Sequence, residues 1–125
     1  MKLNNQSIIK SFAHAFNGLF YFFLHERNGK LEIGIAFIVV LLSFLMKVSI
    51  SEWFVILLCI ALVVGFEMLN SALERLCDVV QEDYHPVIKS IKDMAAAAVL
   101  WCSIISAIIG LIIFLPKISS WLSTN

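Results

Sequence analysis

Five polar side chains near the middle of the 125-residue chain recur at helical spacing: Glu67, Asn70, Ser71, Glu74 and Asp78. At roughly 100° per residue they fall within about 60° of one direction. Met68, Leu69, Ala72, Leu73, Leu76 and Cys77 take the remaining directions. Three carboxylates with two hydrogen-bonding side chains make an oxygen-only donor set. Such a set suits Mg²⁺, which takes one or two carboxylates and completes its shell with water and phosphate oxygens. A carboxylate near low dielectric also gains affinity for protons, as a general base acting on an alcohol requires. The plain alternative is a stripe facing water. It accounts for Asp78 taken alone but not for Asn and Ser in register with the acids, since solvated faces usually carry more lysine.

A second polar patch, His85, Lys89, Lys92 and Asp93, precedes the last apolar run. Lys89, Lys92 and Asp93 span an arc of about 100°, and lysines beside a metal-ready acidic face suit polyphosphate. Each lysine taken singly also reads as an anchor at a membrane edge. There is no G-x-x-x-x-G-K-[ST] loop and no G-x-G-x-x-G, and the five glycines are scattered, so any use of ATP would lie outside the soluble kinase folds. Cys59, Cys77 and Cys102 are odd in number and lie singly in apolar or helical stretches. They read as small apolar residues, not as a disulfide framework or a zinc site.

The elements that must position these groups are helices in a bilayer. The chain is 61% hydrophobic and 14% charged, more apolar than a soluble core of this size can hide. One domain covers 1–125. Its formal net charge of zero offers no global field for nucleic acid. Over about 7–25, Ser7, Lys10, Ser11, His14, Asn17, Gly18, Tyr21 and His25 recur at three- and four-residue steps against an aromatic-rich face. This is the pattern of an amphipathic helix in the membrane interface. The polar stretch Glu26–Lys30 is expected to end it as a turn. Apolar spans are expected over about 30–47, 52–80 (continuing past the membrane boundary) and 87–115, with Pro86 resetting the chain and Pro116 stopping the last helix. The fold class is therefore an all-α membrane protein: three transmembrane helices plus an N-terminal interfacial helix. Met1–Ser11 is polar and is not expected to be a signal peptide. Lys2, Lys10, Arg27, Lys30, Arg75, Lys89 and Lys92 fall on one side and only Lys47 and Lys117 on the other, which places the N-terminus in the cytoplasm.

The run Glu67-Met-Leu-Asn70-Ser71-Ala72-Leu73-Glu74 through Asp78, then Tyr84-His85-Pro86 and Lys92-Asp93-Met-Ala-Ala-Ala-Ala-Val-Leu100, resembles the prokaryotic diacylglycerol kinase family, which includes undecaprenol kinases. The signature E-x-x-N-[ST]-A-[LI]-E-x-x-x-D is matched in full, with the right spacing to K-D-x-A-A-A-A-V-L. Glu26 and Glu32 bracket a turn similar to the family's acidic turn, and the resemblance runs from about Ile9 to Ile118. It implies a homotrimer in a bacterial cytoplasmic membrane, with active sites shared between subunits and direct transfer of the ATP γ-phosphoryl group to a lipid hydroxyl. Carried over by position, it makes Glu67 the general base and gives Mg²⁺ to Glu26 and Glu74. Asn70, Ser71 and Asp78 would support that constellation. His14, Asp83, Tyr84 and His85 would lie by the nucleotide with Glu26 and Glu74, and Lys92 and Asp93 would contact phosphate and ribose or adenine. Glu32 would join Glu67 at the lipid.

Ser11-Phe-Ala-His14-Ala, Glu26-Arg27-Asn28, Ser49-Ile-Ser-Glu52-Trp53, Tyr84-His85-Pro86 and the ending Ile109-Gly110-Leu-Ile-Ile-Phe-Leu-Pro116-Lys117 look more like the undecaprenol kinase branch. Undecaprenol is therefore the expected acceptor and diacylglycerol the alternative. A reading of another class is a small channel or transporter subunit whose acids line an ion path. It expects acids spread through the membrane depth, whereas Glu67, Glu74 and Asp78 cluster at one end of a span.

Overall fold

The computed structural model describes residues 5–124, with side chains for 8–123. Lys2 lies outside the described residues, as does the side chain of Ser7. The elements are α1 (Asn5–His25), α2 (Arg27–Leu45), α3 (Ile50–Val80) and α4 (Pro86–Thr124), with no strand among the described residues. α2, α3 and α4 are each long and apolar enough to cross a membrane, and the protein is an all-helical, multi-pass membrane protein. α3 packs mainly on α4, while α2 meets both α1 and α3.

The junction between α1 and α2 is tighter than the expected five-residue turn. Glu26 alone breaks the helix, in extended conformation (φ −82°, ψ 135°). Its N–H donates to the Phe22 carbonyl at 3.1 Å, and its own carbonyl accepts from Lys30 N–H at 3.2 Å. Arg27–Lys30 is thus the first turn of α2, polar because it lies at a helix end, not because it is a loop. Gly29 makes this crossing possible. It is buried, and a Cβ there would fall 2.4 Å from the Phe22 carbonyl oxygen.

At the opposite end, α2 closes with a Schellman motif. Val48 N–H donates to the Ser43 carbonyl and Lys47 N–H to the Phe44 carbonyl, with Lys47 left-handed at φ 49°. The fully buried Ser43 returns its hydroxyl to the Val39 carbonyl at 2.7 Å. α3 then opens with a capping box: Ser49 Oγ accepts from Glu52 N–H, and the Glu52 carboxylate accepts from Ser49 N–H. The same carboxylate pairs with Lys117 at 3.1 Å, tying α3 to α4. Val48, Ile56 and Ile113 form a small core here, flanked by Trp53 and Phe114.

α4 does not stop at Pro116 but runs through it to Thr124. The ring removes one backbone donor. The following turns are braced by the Lys117–Glu52 ion pair and by Ser120 and Ser123, whose hydroxyls donate to carbonyls three residues back. Most large apolar side chains face outward along all four helices, Phe12, Phe16 and Phe20 on α1 and Phe37, Phe44, Leu58 and Ile112 on the spans among them. In water such a surface would be untenable; in hydrocarbon it is the solvated face.

Candidate active site

α3 has 31 residues, roughly 46 Å at about 1.5 Å per residue. A hydrocarbon core is only about 30 Å thick, so an end of α3 must emerge. The apolar hairpin end is fixed by the core around Ile56, and the acid-bearing turns from Glu67 to Asp78 form the emerging part. Its buried face is set by Ile56, Val63, Asn70 and Cys77 at steps of seven. The polar stripe expected from the sequence therefore straddles the packed face. Asn70 points inward, Glu67 and Ser71 are half-buried, and Glu74 and Asp78 are exposed, while Cys77, expected off the stripe, is buried in line with Asn70.

Each acid on α3 has a specific partner. Glu67 Oε2 accepts from Asn28 Nδ2 at 3.2 Å, which links it to the first turn of α2. Glu74 Oε1 accepts from Asn70 Nδ2 at 3.3 Å, one turn away on the same helix. Asp78 pairs with Lys92 of α4 at 2.9 Å. Glu26, at the α1–α2 junction, pairs with Arg75, whose guanidinium also lies 4.8 Å from the centre of the Tyr21 ring. Tyr21 in turn stacks on His25 at 4.7 Å. Thus Glu26, Glu67, Glu74, Asp78 and Lys92 are each paired separately toward one end of the bundle.

Other expected residues stand further out. His14 is exposed on α1; Asp83, Tyr84 and His85 are exposed in the loop between α3 and α4; Asp93 is exposed and pairs with Lys89 within α4. Glu32 is half-buried in the second turn of α2. It also lines a cavity of about 360 Å³ between α2, α3 and α4, otherwise walled by apolar and small residues such as Ile35, Val39, Ile60, Ser106 and Gly110. The geometry therefore places one carboxylate, Glu32, in the lining of an otherwise apolar space, with Glu67 one helical turn beyond Val63 of the same lining.

Among the described residues no three His, Cys, Asp or Glu side chains gather closely enough to cage a metal. That is compatible with Mg²⁺, which binds through one or two carboxylates together with phosphate and water, not through an all-protein cage. Asn70 Oδ1 supplies a second indication. It is buried and meets no hydrogen-bond donor among the described residues, beside the Glu74 carboxylate that Asn70 holds. Buried acceptors of this kind normally find a donor, and a hydrated cation brings several. The donor set fits magnesium.

Asn28 and Arg75 were not singled out by sequence reasoning. Their partners lie 39 and 49 residues away, and only the closeness of Glu26, Arg27 and Asn28 to the first span hinted that this end would meet α3.

A multi-pass helical membrane protein with a carboxylate-rich layer at one end of its spans is the class that fold and site define. The sequence model of prokaryotic diacylglycerol kinase matches residues 13–114. An undecaprenol kinase of Bacillus subtilis is 42% identical over 109 residues, covering 87% of this chain and 89% of its own. A diacylglycerol kinase of Synechocystis is 33% identical, covering 91% of this chain and 66% of its own, and one of Helicobacter pylori is 34% identical, covering 73% and 77%. The chain belongs to the prokaryotic diacylglycerol kinase family and is a lipid kinase, which uses ATP as phosphoryl donor.

Proposed function

We propose that the chain phosphorylates undecaprenol, transferring the γ-phosphoryl group of ATP to the terminal hydroxyl and releasing undecaprenyl phosphate and ADP. Glu67 takes the hydroxyl proton as the oxygen attacks phosphorus, and Asn28 fixes the orientation of its carboxylate. Glu32 lies on the acceptor's side of Glu67, and the long isoprenoid tail runs from there into the apolar cavity. Glu26 and Glu74 hold magnesium; bound there, the ion would neutralise charge on the phosphates. Asn70, Ser71 and Asp78 support these acids from the same helix. Lys92, once released from Asp78, meets phosphate, and Asp93 meets the ribose or base. His14, Asp83, Tyr84 and His85 border the nucleotide from α1 and the α3–α4 loop. Such an enzyme works by positioning its reactants and by electrostatic neutralisation, which is what phosphoryl transfer demands.

The observation that supports this reading most is an apolar space between the spans that carries Glu32 in its lining and reaches Val63, one helical turn from Glu67 on α3. A base there reaches a hydroxyl anchored by its own hydrocarbon. Undecaprenol as the acceptor is supported by the 42% identity to the Bacillus subtilis undecaprenol kinase over most of both chains. Diacylglycerol is the second reading, favoured by the Synechocystis and Helicobacter pylori relatives. Family membership leaves the channel reading without support. The acid-bearing end faces the cytoplasm of a bacterial cell, where the nucleotide is, in keeping with the excess of basic residues at that end. The working unit is a homotrimer; exposed Ala96 and Ala97 on α4 allow a neighbouring helix to approach closely.

Purified protein in mixed micelles, given radiolabelled ATP with undecaprenol and diacylglycerol side by side, tests the acceptor. Label should enter undecaprenol at the higher kcat/KM. Preferential labelling of diacylglycerol would replace the first reading by the second.

A further inference from the structure

Glu26 and Glu74, the two carboxylates assigned above to magnesium, are held differently. Glu74 accepts from the neutral amide of Asn70, whereas Glu26 is engaged by a full positive charge, the Arg75 guanidinium. Arg75 directly follows Glu74 on α3, so its side chain leaves the same turn and reaches back to the α1–α2 junction. It is held at the same time by the face of the Tyr21 ring at 4.8 Å, and cations are attracted to such a face without any acid. Lys92, by contrast, rests on Asp78 at 2.9 Å and touches neither of the two acids assigned to the metal.

We propose that Arg75 sets the order of binding: it occupies Glu26 until magnesium arrives already attached to nucleotide, and then turns its donors to the phosphates. The inference rests on the assignment of Glu26 and Glu74 to the metal. With Arg75 in place the two acids present one net negative charge, and a bare divalent cation must displace a guanidinium to reach Glu26. Without Arg75 the same acids present two negative charges and attract a bare cation more strongly. A magnesium–nucleotide complex behaves in the opposite way. It carries net negative charge of its own, so it gains from a guanidinium and loses when that group is removed. The planar fork of Arg, with five donors, leaves the carboxylate for phosphate oxygens without giving up the Tyr21 face. Arg75 thereby keeps free metal out and admits the metal–nucleotide complex, as a binding residue that discriminates between two forms of the same cation.

The two signs make the test. Purified full-length protein in detergent micelles is titrated with manganese(II) alone, followed by electron paramagnetic resonance, and separately with a magnesium complex of a non-hydrolysable ATP analogue, followed by calorimetry. Arg75→Gln should bind bare manganese about three- to tenfold more tightly and the magnesium–nucleotide complex weaker by a similar factor. Both changes should shrink as salt is raised, because Arg75 is 57% exposed. Arg75→Lys, which keeps the charge but not the fork, should leave manganese affinity near that of the parent and fall between the two for nucleotide. If Arg75 were only a staple between α3 and the α1–α2 junction, Arg75→Gln would weaken both ligands together, and the proposal would be overturned. It would also be overturned if neither affinity moved. A Glu74→Gln change in the Arg75→Gln background separates the layers of the argument. Lost manganese binding upholds the metal site whichever way Arg75 behaves; manganese affinity unmoved by that change brings down the metal assignment and the inference with it.

Discussion

Glu67 and Glu74 lie two turns apart on one helix, and each is held by an amide instead of a cation. An amide fixes a carboxylate without neutralising it, which is what the proposed roles of base for Glu67 and metal ligand for Glu74 require. The two roles separate in kinetics. Glu67→Gln preserves shape and the contact to Asn28 but removes the base. Turnover should fall by about 10²–10⁴-fold, the usual contribution of a positioned general base, with magnesium–nucleotide affinity unchanged in calorimetry. Retained turnover would take Glu67 out of the base role. Glu74→Ala should weaken magnesium–nucleotide binding by roughly tenfold or more, since contacts to charged groups are worth about 1.5–3 kcal/mol. It also leaves the Asn70 amide in search of a partner inside the bundle. Unchanged nucleotide affinity would argue against Glu74 as a ligand.

At the scale of the helix, the position of the site depends on one close approach. Gly29 lets α2 pass the Phe22 carbonyl, and the same turn of α2 carries Asn28 to Glu67, while Glu26 at the junction meets Arg75. Gly29→Ala places a methyl group 2.4 Å from that backbone oxygen. The crossing must open at a cost of about 1–3 kcal/mol for overpacking, against which the better helix propensity of Ala offsets up to about 1 kcal/mol. A lower midpoint of thermal unfolding in detergent, together with weaker nucleotide binding, is the expected outcome. An unchanged midpoint would mean that the crossing is looser than the geometry requires. The apolar runs and the three- and four-residue polar steps made the helices readable from sequence, because periodicity reports which face of a helix is wetted. It does not report what another helix places opposite. Glu26–Lys30 therefore looked like a loop though four of its residues are helical, Gly29 looked like one of five scattered glycines, and Pro116 looked like a terminus though α4 passes through it. The acids of α3 were legible because they repeat along one helix. The Asn28 amide that holds Glu67 was not, nor was the pairing of Glu26 with Arg75, since the first comes from elsewhere in the chain and the second from a residue that reads as a membrane anchor.

At the scale of the whole molecule, the hairpin end is built from short fixed links: the Schellman turn at Lys47, the capping box at Ser49 and Glu52, and the Lys117 ion pair. The acid-bearing end is held by longer polar side chains, several of them well exposed. The proposed function asks the second end to exchange these partners for substrate while the first holds the spans together. Among the described residues few side chains are buried, Val48, Ile56 and Ile113 forming the main cluster. With so thin an interior, the surrounding amphiphile acts as a structural component of the enzyme. Purified into micelles whose tails are too short to span the outward Phe, Leu and Ile of α2 through α4, the protein should lose thermal stability progressively as tail length decreases. Returning the same sample to longer-chain lipid should restore it, with no change to a single residue.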